Sequence, residues 1–321
     1  MDSRKKVRER RILDLVYGDR SLHAVREHER PDFLIQSTAS STPFGVEVTE
    51  FFDSETSARL DRIDGYMGEL LDGGPFRHKH DAQAAEVGPM DVVAPDGSVV
   101  ATGIIGLIRE IPPPRECARR VAERIQAKGE GLSDVTRCSH LNLIVSDDSR
   151  VLATVKREDF YRRFFIPELQ DAARSTVFRE VFLCTILDDE HVYVPLKQLL
   201  LFTEAFFFVR TLFETGAREQ VEGAHGRAFA AYLASRVEAP VLFQAHATGV
   251  EVLFGDTGVV LDGRGVRTLR SYRDSAFDGD AVAPDESWLG AIGSQFLAAL
   301  EGARLTHTFR SNLAFAVAKG R

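Results

Sequence analysis

Two short apolar runs, Pro31-Asp32-Phe33-Leu34-Ile35 and Phe44 to Phe51, carry carboxylates where a core strand should carry hydrocarbon. Asp32 opens the first run behind Pro31, and Glu47 stands inside the second. Runs of this length and composition form strands buried on at least one face. The Ser/Thr-rich segment Ser37 to Thr42 reads as a connection, so the strands are expected to pair as a hairpin. With a side-chain period of two, Glu47 and Thr49 share one face, while Val46, Val48 and Glu50 share the other. If the polar faces meet, Asp32 and Glu47 come within reach of one divalent cation. Mg²⁺ (or Mn²⁺) suits them, because it takes carboxylate oxygens and keeps several of its waters. An Asp opening a strand and a Glu on a solvent face are also ordinary, so the wider pattern has to decide.

Pro31-Asp32 followed by Glu47-Val48-Thr49 resembles the signature of the PD-(D/E)XK nuclease superfamily: Pro-Asp, a gap, then an acidic residue two positions before a Lys, carried on a hairpin. The resemblance covers about the first half of the chain. It implies a restriction endonuclease-like three-layer α/β sandwich with a mixed central sheet. It also implies metal-dependent hydrolysis of phosphodiester bonds, with Asp32, Glu47 and the backbone carbonyl of Val48 as metal ligands and DNA favoured over RNA.

One position departs from that pattern. Thr49 stands where the signature has Lys, and a hydroxyl cannot supply the positive charge that orients a water and stabilises a phosphorane-like transition state. Some members of the superfamily carry this lysine on a neighbouring element, and Lys128 is the candidate substitute. The run Arg115 to Lys128 has helical spacing, with Cys117, Val121 and Ile125 as its apolar stripe and Lys128 three residues further on. Lys128 suits a plain helix cap equally well, with Gly129 as the residue after the helix. Thr49 would then serve as a hydrogen-bonding partner for a water or ligand.

A chain of 321 residues with 44% hydrophobic content buries a full core and has room for one large or two ordinary domains. Its net charge of −8 argues against a protein that coats nucleic acid over its whole surface. An enzyme acting on DNA needs only a local basic groove, and Arg4, Lys5, Lys6, Arg8, Arg10 and Arg11 offer either that or a solvated helix face. Cys117, Cys138 and Cys184 are too scattered for a disulfide framework or a zinc knuckle. The charged N-terminus lacks a secretory pattern, and the most apolar window, Val192 to Phe213, carries Lys197, Glu204 and Arg210. A cytoplasmic protein with no membrane association is expected.

Along the chain, Lys5 to Tyr17 reads as a helix ended by Gly18, with Val7, Ile12, Leu15 and Val16 on its apolar side. Leu22 to Arg30 reads as a second short helix, whose Glu27 or Glu29 could add a carboxylate to the site. Ser54 to Leu71 reads as one amphipathic helix, broken by Asp72-Gly73-Gly74-Pro75. The region of about 53–110 has the character of an insertion: it holds His78 and His80 in a basic loop, and a hairpin from Val92 to Val100 about Pro95-Asp96-Gly97. His140 to Ser146 is expected as a central strand beside the one bearing Glu47, and Val177 to Leu187 as another strand. Helices over Glu158–Ala173 and Leu196–Phe213 would cover the sheet. Residues 1–216 thus form the nuclease-like domain. Residues 217–321 form a C-terminal α+β region with a boundary in Ala217 to Gly226. Its strands are expected at Val241–His246, Val250–Phe254, Gly258–Leu261 and Val266–Arg273, followed by a helix from Trp288 to Leu300 and an apolar run at Leu313–Ala318.

The leading functional expectation is a metal-dependent endonuclease using Asp32, Glu47, Lys128 and Thr49. The alternative is a catalytically inactive relative that binds nucleic acid or scaffolds an assembly, as a homo-oligomer or with a partner protein. A small-molecule α/β protein is the third reading; no GxGxxG follows a strand and no GxxxxGK[ST] loop exists to favour its commonest forms.

Overall fold

The computed structural model describes residues 3–18, 22–37, 42–94, 96–131, 138–153, 155–187, 190–215, 223–235, 241–247, 249–254, 257–262, 265–268, 279–284, 290–306 and 316–317. With strands numbered along the chain, a seven-stranded mixed sheet runs in the order β1 (Leu22–Glu27), β2 (Phe33–Ser37), β3 (Phe44–Phe51), β6 (Leu141–Asp147), β7 (Glu180–Leu187), β8 (Glu190–Pro195), β14 (Ala316–Val317). β3, β6 and β7 are parallel to one another, and the remaining pairs are antiparallel.

Parallel neighbours require a crossover, which usually lays a helix on the sheet. Helix α5 (Pro114–Glu130) lies between β3 and β6 in the chain, and α6 (Phe160–Arg163) and α7 (Pro167–Ser175) lie between β6 and β7. Cys117, Val121 and Ile125 of α5 pack against Phe51, Leu143 and Val145 on one face. On the opposite face, Ile12, Leu13, Val16 and Tyr17 of α1 (Ser3–Tyr17) pack against Phe33, Val46, Val48 and Ile144.

Helix α8 (Leu196–Glu214) is apolar nearly all round, which obliges it to be covered on more than one side. It lies against β7 and β8 and also against a five-stranded antiparallel sheet of order β12 (Gly265–Thr268), β11 (Thr257–Asp262), β10 (Gly249–Phe254), β9 (Val241–His246), β13 (Asp280–Val282). Helices α9 (Gly223–Ala234) and α10 (Gly290–Thr306) complete the packing, with Phe208 of α8 stacked on Phe229 and edge-on to Phe296. One hydrophobic cluster therefore runs from Val121 and Val145 through Phe208 to Phe243 and Leu261. The expected boundary lies partly in residues 216–222, outside the described residues, and the core itself continues past it. No described helix is long and apolar enough to cross a membrane.

Between β3 and α5 the chain makes α2 (Glu55–Arg62), α3 (Tyr66–Leu71), α4 (Lys79–Ala84) and a separate two-stranded ribbon, β4 (Ala85–Val93) with β5 (Val99–Arg109). Leu60, Tyr66 and Leu70 form its small core. Buried Asp81 fastens it, accepting hydrogen bonds from Thr56 Oγ1 at 2.8 Å, Arg59 Nη2 at 2.6 Å and Tyr66 Oη at 3.1 Å. Burial pushes that carboxyl up, but the bonds from Arg59, Thr56 and Tyr66 outweigh it and hold its pKa below the ordinary value.

Several expectations need correction. Leu22 to Glu27 is an edge strand instead of a helix, its residues paired with β2 in a ladder that only a period of two allows. Ser54 to Leu71 is two helices, because Gly65 adopts φ 74° between them. The helix expected over Glu158–Ala173 breaks into a 3-10 turn (Arg157–Asp159), α6 and α7 at Pro167, which cannot donate a backbone hydrogen bond. Gly129 lies inside α5, which runs to Glu130; a Cβ there would sit 3.3 Å from Thr176 Oγ1, so the glycine permits close packing. The hairpin expected over Val92 to Val100 extends from Ala85 to Arg109, with Pro95 of its turn outside the described residues. Leu269 to Arg273, Trp288 and most of Leu313–Ala318 also lie outside them.

Candidate functional site

The site forms where β2 enters the sheet. Phe33 pairs with Val46 and Leu34 with Gly45, so Asp32, one residue before the strand, stands opposite Glu47. The Val48 N–H donates to Asp32 Oδ2 at 2.9 Å, so a side chain takes the part of the backbone ladder at this point. Gly45 allows the close entry: a Cβ there would lie 2.5 Å from both Pro31 Cγ and Leu141 Cδ2. Alternation along β3 then turns Val46 and Val48 towards α1 and Glu47 and Thr49 towards α5, both of the latter buried.

Lys128 meets Glu47 from the last turn of α5. Its Nζ lies 2.7 Å from Glu47 Oε1. The position follows from the stripe Cys117, Val121, Ile125, which is buried on the sheet and carries the residue three further on towards the strand. Burial pushes the Glu47 carboxyl up; Lys128 pulls it back, the nearby charge of Asp32 adds to the rise, and the net pKa lies above the ordinary carboxylate value. Glu47 thus stands between the negative charge of Asp32 and the ammonium of Lys128. Thr49, two residues along the same face, contributes no charge.

Two further residues join the site that sequence reasoning assigned elsewhere. Lys6 of α1 is buried with its Nζ 3.3 Å from Asp32 Oδ1 and 2.9 Å from Glu9 Oε2, and Glu9 is buried as well. Burial lowers the Lys6 ammonium, but pairing with Glu9 and Asp32 overcomes this and raises its pKa. The signal was present: positions 6, 9, 13 and 16 form a helical stripe, and the polar pair at its start is buried with the rest. Val7, expected on that side, is 70% exposed instead.

The remaining candidates do not join. Glu27 and Glu29 are exposed, and the helix-borne carboxylate near Asp32 is Glu9. Lys5 pairs with Glu9, Arg10 with Asp14, and Arg8 with Glu50, Asp61 and Asp148, so much of the N-terminal basic run is engaged by carboxylates. His78 precedes α4, edge-on to Tyr66, and His80 lies within that helix. Buried Asp147 accepts from Thr185 Oγ1 at 2.7 Å and from the Val151 N–H at 3.3 Å, a structural pattern.

Glu180 supplies a standard for comparison. It is also a buried strand glutamate, yet it accepts the backbone N–H groups of Val181, Lys197 and Gln198 and so caps the start of α8. In Glu47, by contrast, Oε2 is buried with no hydrogen-bond partner. An acceptor left bare at such a depth costs about 1–3 kcal/mol or more unless a cation or water meets it. The donor set thus fits a hard divalent cation held by two carboxylates and its own waters. Among the described residues no group of three or more His, Cys, Asp or Glu gathers closely enough to hold a metal by itself. No family model, curated protein or solved structure matches this chain.

Proposed function

We propose that the chain is a metal-dependent nuclease that hydrolyses phosphodiester bonds, DNA being the favoured substrate, on a restriction endonuclease-like arrangement of the large sheet. The observation that carries this reading is the Lys128–Glu47 contact of 2.7 Å on the strand opposite Asp32, which returns to the site the positive charge that Thr49 lacks. Asp32 and Glu47, with the Val48 carbonyl, would hold Mg²⁺ or Mn²⁺. Bound there, the ion would lower the pKa of a water and neutralise charge on the scissile phosphate. Lys128 steadies the Glu47 carboxylate and presents an ammonium to the developing negative charge. Thr49 offers a hydroxyl on the same face, and Lys6 fixes Asp32 from behind.

The test is cleavage of plasmid and linear DNA with Mg²⁺, with Mn²⁺ and with EDTA. Metal-dependent cleavage that both Asp32→Ala and Glu47→Ala abolish supports the reading; cleavage that survives in both variants defeats the site. One observation favours a second reading, an inactive nuclease-fold protein that binds nucleic acid: Asp32 already serves the fold through its bond to Val48. Metal-independent DNA binding with no cleavage under any of these conditions would decide for it.

A further inference from the structure

The ribbon β4–β5 breaks the rule that the rest of the chain obeys. Val87 and Leu107 at its base pack against Leu60, Tyr66 and Leu70. Beyond them the aliphatic side chains stand in water: Val100 is 67% exposed, Ile104 45% and Ile105 49%. Ile104 and Ile105 are adjacent, so they point to opposite faces, and both faces of the ribbon are bare. A two-stranded hairpin is marginal in water on its own and gains stability from a third strand or a covering surface.

The charges narrow what can cover it. From Ala85 to Ile108 there is no Lys or Arg, while Glu86, Asp91 and Asp96 are acidic. Phosphate, whether in DNA or in an anionic membrane surface, has nothing to bind there. The two edges also differ. β4 carries Pro89 and Asp91, devices that discourage strand addition, whereas β5 has no charge and no proline from Gly97 to Ile108. Among the described residues β5 pairs only with β4. Two copies of β5 can lie antiparallel about a two-fold axis without placing like charges opposite each other in any register centred from Val99 to Ile108. Of the ribbon's exposed aliphatic side chains, Val99, Val100, Ile104, Ile105 and Ile108 lie on β5 itself, so a second strand laid along that edge meets them as cross-strand neighbours.

We infer that the β5 edge is a self-association surface: two copies of this chain join their ribbons into one four-stranded antiparallel sheet. This rests on the ribbon alone and is independent of the nuclease reading, since a mass measurement is blind to cleavage. The experiment is light-scattering mass on the gel-filtered full chain from micromolar to hundreds of micromolar concentration, together with amide exchange along β5. The wild type is expected at twice 35.6 kDa, with slow exchange on β5. The double variant Val100→Lys, Ile105→Lys, which sets lysines against the opposing strand, should dissociate with at least a tenfold weaker dimer and fast exchange there, its circular dichroism unchanged. A control, Val7→Lys at an exposed site elsewhere, should stay dimeric. A wild type that is monomeric throughout, or a double variant that remains a dimer, overturns the inference.

Discussion

Two hairpins of this chain, β2–β3 and β4–β5, are patterned in opposite senses. In β2–β3 the carboxylates Asp32 and Glu47 are buried on strands that also carry Phe33, Ile35 and Val46; in β4–β5 uncharged aliphatic side chains stand in solvent. Burying charge is costly, and exposing a contiguous aliphatic surface forgoes its burial, so each hairpin departs from what stability alone would select. Such departures gather where a molecule meets something else. The first hairpin meets a lysine and has an acceptor to spare, which fits a cation; the second, packed only at its base, pairs with no third strand among the described residues, which fits another strand.

The comparison breaks first at Lys128. Lys128→Ala should lower cleavage about 10²–10³-fold, with Lys128→Arg keeping part of the activity, and kinetics of plasmid nicking would read both. If Lys128→Ala cleaves normally, the buried charge of the first hairpin is structural only. A milder contrast sets valines in the two hairpins against each other. Val46→Thr, at a fully buried position, should cost about 1–3 kcal/mol because a hydroxyl enters the core without a partner. Val93→Thr, 55% exposed, should stay within about 0.5 kcal/mol in denaturant titrations at concentrations where the chain is monomeric. Equal costs would erase the distinction.

The smallest effect concerns pH, where Glu47 of the first hairpin and Asp96 of the second have opposite signs. Glu47 has its folded pKa raised above 4.5 by burial, so in metal-free protein its contribution is most favourable below that value and is lost as pH rises through the raised one. Asp96, at the turn of the ribbon, is lowered from 3.8 by hydrogen bonds from Ser98, so its contribution is present above 3.8 and fades as pH falls through the depressed value. Stability measured against pH in EDTA should lose its decline across the Glu47 window in Glu47→Gln and change only at the acid end in Asp96→Asn.

Much of the site was legible because its signals are local. Proline before an acid, an apolar run that carries Glu47, and a helical stripe ending in Lys128 are each confined to a short stretch of chain, and the hairpin and helix carry them to one place. Lys6 and Glu9 were less legible: each looked like part of a basic N-terminal run, and only packing against Phe33 and Asp32 decides that they face inward. The mixed α/β character and the central place of β6 followed from pattern. The alternation of β1 is too weak to separate a strand from a short helix, and Pro167 is the local signal that starts α7 afresh. The seating of α8 between two sheets was beyond reach, since a helix with apolar residues on most of its sides says that it is covered without saying by what.

The short strand β14 has a consequence for biosynthesis. Ala316 and Val317 pair with Tyr193 and Val192 on the far flank of the sheet that begins at Leu22. A nascent chain can therefore assemble β2, β3 and α5 early, yet cannot finish that flank until residue 317 has cleared the ribosome. Through that interval Phe208 and its neighbours on α8 await the partners that α9 and α10 bring, so α8 presents apolar surface until those helices emerge.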